Sequence, residues 1–369
     1  MISKLIIADS ENDLNMFYAT GFLAVDDFVY LENKGKKIIY IDDLEFDRAK
    51  SEAINCEVKN YSEYTSGVNR NTFGSVLINI LKNSKIKIVQ VPSNFKIKYA
   101  KILIENGIKI DIKEPFFIKR EMKTDDEIEK IIEVQRINEK AMRLALAIIK
   151  NSKIRKDGKL SYQNKVLTSE YINEIINIEF LKNNCVSESN IVSCGKDSTQ
   201  PHNLGKGPLF ANQFIIIDLF PKSKKSRYFA DMTRTVVKGK ATKEMKKMYN
   251  NVLKAQKIAL GEIKVGARGD LIHKKVQNYF EKEGFKTEEK DGKMHGFFHG
   301  TGHGVGLNIH ESPNIGIGNK KPLKAGNVIT VEPGLYYPKI GGVRIEDLVV
   351  VTELGCKNLT KFPKVLEIK

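Results

Sequence analysis

The sequence predicts an α/β domain followed by a larger domain that combines helices with pairs of strands. Three features of the chain indicate this: its length of 369 residues, the short apolar runs of its first third, and an order of two helices and two strands that occurs twice in the rest. At roughly 150 residues per domain, two or at most three domains are expected. We place the boundary between a first domain of residues 1–121 and a second domain of residues 122–369.

The first domain alternates strand-like runs with helical stretches. The runs KLIIAD, DDFVYL, KKIIYID and KIKIVQV are apolar and end in polar turns, whereas FGSVLINILKN has helical spacing. An alternation of this kind is typical of an α/β domain.

The second domain begins with a long amphipathic helix, which is predicted from about Asp125 to Lys150. Thr124 and Glu127 supply a capping box, after which apolar residues recur at helical spacing. Further helices are expected at residues 171–183, 243–260 and 271–283. We expect Asp270 to cap the last of these helices and Gly284 to end it.

The strand pairs of the second domain carry acids within apolar segments. Strands are predicted in NQFIIIDLF and SRYFADMTRTVVKG, which a basic loop (221–227) joins, and in GNVITVEPGLYY and GGVRIEDLVVV. The acids are Asp218, Asp231, Glu332 and Glu346. A carboxylate removed from water must be neutralised, paired or bound to a metal ion. Separations of 13 and 14 residues suit neighbouring strands of a hairpin, so four carboxylates converge from two hairpins.

Two interpretations of these acids are open. Each acid could pair with a nearby cation, for which Arg234 and Arg344 are available. Alternatively, the acids form a metal site with histidines, since four of the six histidines lie within sixteen residues, at His295, His299, His303 and His310. Alternating glycines let the backbone approach closely around His303. The matched pairs favour the metal site, and such a set of ligands suits Mn, Co, Fe or Zn, can hold two ions, and can activate a bridging water for hydrolysis.

The composition excludes other classes of protein. With 41% hydrophobic and 29% charged residues, the chain is neither disordered nor membrane-spanning. Only a short apolar run precedes Asp9, which is too short for the core of a signal peptide. Four cysteines without a CxxC pair indicate neither a structural zinc site nor a set of disulfides. We therefore expect a cytoplasmic protein that does not bind a membrane.

The net charge of +16 would favour an acidic partner, but the distribution of charge opposes this. Only ten of the 61 basic residues are arginine, and the lysines are spread through nearly every segment. A solvated, lysine-rich surface without a nucleic-acid partner is therefore expected.

Four motifs resemble a known family. DLFPKSKKSRYFADMTRT, HGTGHGVGLNIHESP, TVEPGLYY and GGVRIED are similar to signatures of the pita-bread metallopeptidases, the group of prolidase, aminopeptidase P and methionine aminopeptidase. DSENDLNMFYATGF resembles the creatinase-type N-terminal domain. The resemblance implies an α/β and α+β protein, in which a creatinase-like α/β domain precedes a catalytic domain with a duplicated ααββ unit.

The resemblance also implies the roles of the acids and of one histidine. The implied metal ligands are Asp218, Asp231, His303, Glu332 and Glu346. Asp231 and Glu346 would bridge two ions, Asp218 would complete one ion, and His303 and Glu332 would complete the other.

Further residues would act on the substrate. By resemblance, Glu332 shuttles the proton between the attacking water and the leaving amine, and His310 donates to the oxygen that gains charge. His202 faces the substrate, and His299 marks the proline-directed members. Arg344 would orient the bridging acid or close a salt bridge at the strand end.

The implied activity is hydrolysis of the bond between an N-terminal residue and proline, by an Xaa-Pro aminopeptidase or an Xaa-Pro dipeptidase. Two divalent ions, Mn or Co before Zn or Fe, and a homodimer are expected. Two alternatives are a catalytically silent module that binds peptide or nucleic acid, and a metal-free hydrolase of amidino groups. The basic loop departs from the family pattern, and the sequence places no dedicated cation for the free carboxylate of a dipeptide.

Overall fold

The computed structural model describes residues 2–65 and 73–369, which form two compact units. The first unit ends at Ile118 and the second begins at Lys119. Each unit encloses its own hydrophobic clusters.

The first unit is a six-stranded sheet with helices on both faces. The strands are β1 (Ser3–Ala8), β2 (Phe28–Asn33), β3 (Lys36–Ile41), β4 (Glu57–Asn60), β5 (Ile88–Pro92) and β6 (Lys109–Lys113), in the order β4-β3-β2-β1-β5-β6. The helices are α1 (Leu14–Thr20), α2 (Phe46–Glu52), α3 (Phe73–Asn83) and α4 (Ile97–Glu105). Leu5 and Ile7 of β1 pack in one cluster, and Ile6 and Ala8 pack in the other. Because successive side chains of a strand point to opposite faces, the sheet is buried on both sides.

The second unit contains four long helices and several small sheets. The helices are α5 (Asp125–Asn151), α6 (Ser169–Lys182), α7 (Lys243–Glu262) and α8 (Gly269–Lys282). The strands are β7 (Lys153–Ile154), β8 (Leu160–Tyr162), β9 (Lys165–Val166), β10 (Cys185–Val186), β11 (Ile191–Cys194), β12 (Ile215–Leu219), β13 (Lys222–Ser223), β14 (Met232–Lys238), β15 (Glu288–Lys290), β16 (Lys293–His295), β17 (Gly302–Gly304), β18 (Glu311–Ile315), β19 (Val328–Val331), β20 (Gly334–Tyr337), β21 (Gly341–Arg344), β22 (Asp347–Thr352), β23 (Gly355–Asn358) and β24 (Glu367–Ile368).

The second unit is built from two similar halves. In the first half, α5 and α6 pack on the sheet β11-β12-β14-β24 around one buried cluster. In the second half, α7 and α8 pack on the sheet β18-β17-β19-β22-β23 around another. Two helices and an antiparallel strand pair thus occur twice, as the sequence predicts.

The helix ends follow the sequence signals with one exception. Thr124 and Glu127 form the predicted capping box of α5, and Gly284 adopts a left-handed φ of 86° after α8. The prediction that Asp270 caps α8 is wrong, because Arg268 is the N-cap residue and Asp270 lies in the first turn. There Asp270 accepts from Arg268 Nη2 at 2.6 Å, and its charge still suits the helix N-terminus.

The last two predicted strands are each divided in the structure. GNVITVEPGLYY forms β19 and β20, and GGVRIEDLVVV forms β21 and β22. Pro333 lacks the N–H that a continuous ladder requires. At the second break, the amide of Glu346 donates to the carbonyl of Thr233 in the first half. Glu332 and Glu346 therefore lie at the two breaks, where the strands change partners.

Arg234 joins the two halves from inside the protein. Its side chain, which is 2% exposed, pairs with Asp347 at 2.9 Å (Nη2 to Oδ1). The guanidinium also donates to the carbonyls of Thr233, Glu346, Phe362 and Pro363. One buried cation thus fixes the beginning of β14 against the beginning of β22.

Replacing Arg234 by methionine is expected to lower the free energy of unfolding by about 3 to 5 kcal/mol, because the variant leaves a buried carboxylate and four carbonyls without this donor. Urea denaturation followed by circular dichroism measures the change. Arg155→Met, which removes an exposed arginine, should stay within about 0.5 kcal/mol of the parent. Equal losses in the two variants would contradict a special role for Arg234.

Candidate metal centre

The four acids lie at the ends of paired strands. Asp218 belongs to β12, and Asp231 directly precedes β14, which pairs with β12 in an antiparallel ladder. Glu332 directly follows β19 and Glu346 directly precedes β22, and the pairing of Val331 with Asp347 sets these two acids side by side. The acids of each pair therefore lie on neighbouring strands, the arrangement that their spacing predicts.

His303 in β17 brings an imidazole to these acids. Its Nε2 lies 3.6 Å from Asp231 Oδ2 and 3.3 Å from Glu332 Oε1. Ligand atoms of Asp231, His303 and Glu346 all lie within 4.8 Å of one another. The other ring nitrogen, Nδ1, lies 3.1 Å from the carbonyl of Gly304, an orientation that turns Nε2 toward the acids. This group can hold a metal ion.

Asp218 extends the group with an oxygen that lacks a protein partner. Its Oδ2 accepts from Arg344 Nη2 at 2.6 Å, whereas Oδ1 is buried and has no hydrogen bond to any residue that the structure describes. A buried carboxylate oxygen without a partner is costly. The donor set therefore fits a second cation beside Asp218.

The pKa shifts of the carboxyl groups also favour a bound cation. Burial, together with the neighbouring carboxylates, raises the pKa of Asp231 and of Glu346 well above the usual range. Burial raises the pKa of Glu332 to about 7, although the charge of Arg344 opposes the rise. Divalent cations would offset the repulsion that these shifts reflect.

Arg344 orients two of the acids. It contacts Asp218 directly, but it reaches Glu346 only through Thr233, whose hydroxyl accepts from Arg344 Nε at 3.2 Å and donates to Glu346 Oε2 at 2.7 Å. Arg344 therefore contacts Glu346 through one hydroxyl group and pairs directly with Asp218. Sequence analysis did not single out Thr233, although its place two residues after Asp231 in the ADMTRT motif was a usable signal.

His299 is held in one tautomer by its neighbours. Nδ1 lies 2.7 Å from the carbonyl of Gly300, which can only accept, so the hydrogen-bond network assigns the proton to Nδ1. Nε2 then accepts from the hydroxyl of Tyr336 at 3.0 Å, and that hydroxyl accepts from Arg344 Nη1 at 2.8 Å. Burial lowers the pKa of His299 to about 3, so the ring is neutral. Sequence analysis missed Tyr336, since a tyrosine in a strand carries no signal of its own.

The predicted substrate residues line the same cavity as the acids. His310 packs against His303 with ring centres 4.4 Å apart and planes at 77°, and burial lowers the pKa of His310. The cavity has a volume of about 730 Å³. Its lining includes all the predicted site residues: His202, Asp218, Asp231, His299, His303, His310, Glu332, Arg344 and Glu346.

The loop between His303 and His310 is held by an ion group that the sequence did not reveal. Glu311 pairs with Lys123, whose side chain is 1% exposed, and with Arg120 Nη2 at 3.2 Å. The same carboxylate accepts from the amide of Asn308 at 3.3 Å. About 190 residues separate the partners, so no local pattern could have found them.

The basic segment between β12 and β14 is structured. It contains β13, which pairs with β10, and it contributes Phe220 to the cavity lining. Within the part of the chain that the structure describes, no lysine or arginine of residues 221–227 lines the cavity.

His295, His273 and Cys194 do not line the cavity that contains the acids. His295 packs on Tyr337, and His273 is buried with Nδ1 at 2.9 Å from the hydroxyl of Thr301. Burial raises the pKa of Cys194 to about 11, which disfavours a nucleophilic thiolate.

In residues 2–65 and 73–369, no helix is both long and apolar enough to cross a membrane.

Known proteins match this chain in sequence and in fold. Residues 129–353 match metallopeptidase family M24. An Xaa-Pro dipeptidase of Pyrococcus furiosus is 30% identical over 99% of this chain and 95% of its own length. The X-Pro aminopeptidase of Thermotoga maritima has a TM-score of 0.81 at 26% identity, with 100% of this chain and 98% of that chain covered.

A further solved structure, the Xaa-Pro dipeptidase from Bacillus anthracis, has a TM-score of 0.83 at 25% identity and covers 100% of this chain and 95% of its own. These matches confirm the predicted fold class, a creatinase-like α/β domain followed by a pita-bread catalytic domain. The chain therefore belongs to metallopeptidase family M24, in the branch that contains prolidases and X-Pro aminopeptidases.

Proposed function

We propose that this chain is a peptidase with two divalent metal ions, Mn or Co, that hydrolyses the bond between an N-terminal residue and proline. The convergence of four carboxylates, three of them buried, and one imidazole, with one carboxylate oxygen left unpaired, carries the proposal. The proline preference is supported by the names of the relatives, which are Xaa-Pro dipeptidases and X-Pro aminopeptidases. A homodimer, which the resemblance implies, and a cytoplasmic location, which the composition indicates, stay predictions.

The five ligands divide between two ion positions in this proposal. Asp231 and Glu346 would be shared by the two ions, Asp218 would help to hold one of them, and His303 with Glu332 would help to hold the other. When bound, the ions would lower the pKa of a water and polarise the scissile carbonyl. Thr233 and Arg344 keep the acids in place through the hydrogen bonds described above.

The protein's own side chains supply the remaining steps. Glu332 accepts the proton of the attacking water and passes it to the leaving proline nitrogen, which needs it because a tertiary amide leaves as a secondary amine. His310, a neutral donor against His303, donates to the carbonyl oxygen as charge develops there. His202 and His299 line the space that the peptide occupies.

The proposed alternatives have weaker support. A module that binds nucleic acid needs a basic surface at its site, but the described cavity presents four carboxylates and one arginine. A metal-free hydrolase of amidino groups would leave Arg344 as the one cation in the described cavity lining to offset the repulsion of four clustered acids.

Variants of the shared ligands should lose metal binding. Asp231→Asn and Glu346→Gln are each expected to reduce the metal content, measured by elemental analysis, from roughly two ions per chain to less than one. Because each substitution also removes a repelling charge, the metal-free variants should melt at a higher temperature than the metal-free parent. Glu353→Gln, which changes an exposed acid, should alter neither quantity. Full metal content in both ligand variants would contradict the assignment.

The peptidase activity can be tested with matched peptides. With Mn or Co, the protein should release alanine or glycine from Ala-Pro, Gly-Pro or Ala-Pro-Leu, and it should cleave Ala-Ala-Leu much more slowly. A chelator should abolish the release and added metal should restore it. No release from any of the proline peptides would overturn the proposed function.

Lys123 should affect turnover through the loop that carries His310. Lys123→Met is expected to lower kcat by about 10- to 100-fold with little change in KM or metal content, because a small displacement of a catalytic donor is costly. Lys123→Arg should restore part of the loss, and Lys324→Met, at an exposed lysine, should have no effect. Parallel losses of kcat and of metal would show that Lys123 acts on the ligands instead.

A further inference from the structure

Within the described residues, the cavity offers no free lysine or arginine to a substrate carboxylate. Among its described lining residues, the one lysine or arginine is Arg344. All three nitrogens of its guanidinium are engaged, by Asp218, by Thr233, and by Tyr336 together with the carbonyl of Pro201.

A dipeptide would bring a charge into this cavity. In Xaa-Pro the carboxylate follows the scissile bond by a single residue, so cleavage requires it to enter the site. A carboxylate that leaves water without a partner loses much of its solvation free energy. In a longer peptide the same position holds a neutral peptide bond, which removes this obstacle.

The mouth of the cavity presents exposed apolar side chains. Ile317, in the segment after β18, is 86% exposed, and Leu204, two residues after His202, is 47% exposed. Both line the cavity. Exposed apolar groups at the rim of a cleft commonly mark a contact surface. A volume of about 730 Å³ is in the range that holds drug-sized ligands, which leaves room for more than two residues.

We propose that the enzyme prefers peptides of three or more residues with an apolar residue after the proline, and that Ile317 and Leu204 are specificity-determining residues for that part of the chain. The inference rests on the proposed Xaa-Pro peptidase function and decides which substrates that site takes.

The decisive comparison changes only the charge. Ala-Pro and its amide, Ala-Pro-NH2, differ at the terminal carboxylate and are equal in length. At pH 8 with Mn, kcat/KM for the amide should exceed that for the free dipeptide by about tenfold or more. Ala-Pro-Leu should be cleaved better than Ala-Pro-Asp.

Variants at the mouth test the assigned residues. Ile317→Arg supplies the missing cation and should narrow the ratio of amide to free dipeptide by about tenfold. Ile317→Met should keep both the ratio and the preference for leucine over aspartate. Leu354→Arg adds the same charge at a residue that is 96% exposed and does not line the cavity, so it should leave the ratio unchanged.

The outcomes separate this inference from the function on which it rests. Cleavage of no proline peptide overturns the proposed function. Cleavage of Ala-Pro at least as fast as its amide overturns the inference and leaves the peptidase function standing. An equal shift of the ratio in Ile317→Arg and Leu354→Arg overturns the role of Ile317.

Discussion

The repulsion among four clustered carboxylates, three of them buried, is the constraint on which the rest of the second unit depends. Burial, together with the neighbouring carboxylates, raises the pKa of Asp231 and of Glu346 well above the usual range. The fold tolerates the cluster by supplying Arg344 and Thr233 beside the acids, and by leaving an oxygen of Asp218 for a cation. The site is thus unfavourable without ions, which is the physical basis of its expected affinity for them.

The second unit contains two similar halves, each with two helices and a strand pair, and this duplication explains how such a site forms. Each half contributes one antiparallel strand pair with two acids, and neither half alone encloses the centre. Arg234 and the amide of Glu346 tie β14 to β22, so the two pairs meet at a fixed distance. Glu311 and Lys123 hold the loop that adds the imidazole of His303 and the ring of His310. These buried polar contacts therefore serve mainly to position the site residues, and their net contribution to the free energy of unfolding is a lesser effect.

The charge of the cavity connects structure to substrate. The only guanidinium in its described lining is fully engaged in orienting acids and in the chain of hydrogen bonds through Tyr336 to His299. Ile317 and Leu204 leave an apolar mouth. If the proposed function holds, we expect such a site to favour peptides that have proline at the second position and no terminal carboxylate near the scissile bond.

The sequence by itself determined the main helices, the capping box at Thr124 and the strand segments that carry the four acids, because these depend on local periodicity, on capping residues and on the cost of placing acids in apolar strands. The resemblance to a known family, and not periodicity, singled out His303 among the histidines as the fifth candidate ligand. Only the tertiary structure decided the division of the last strands around Glu332 and Glu346, and the contact of Arg344 with Asp218 instead of Glu346. It also supplied partners such as Thr233, Tyr336 and Lys123. Contacts between segments far apart along the chain follow from packing, and packing leaves no periodic trace in the sequence.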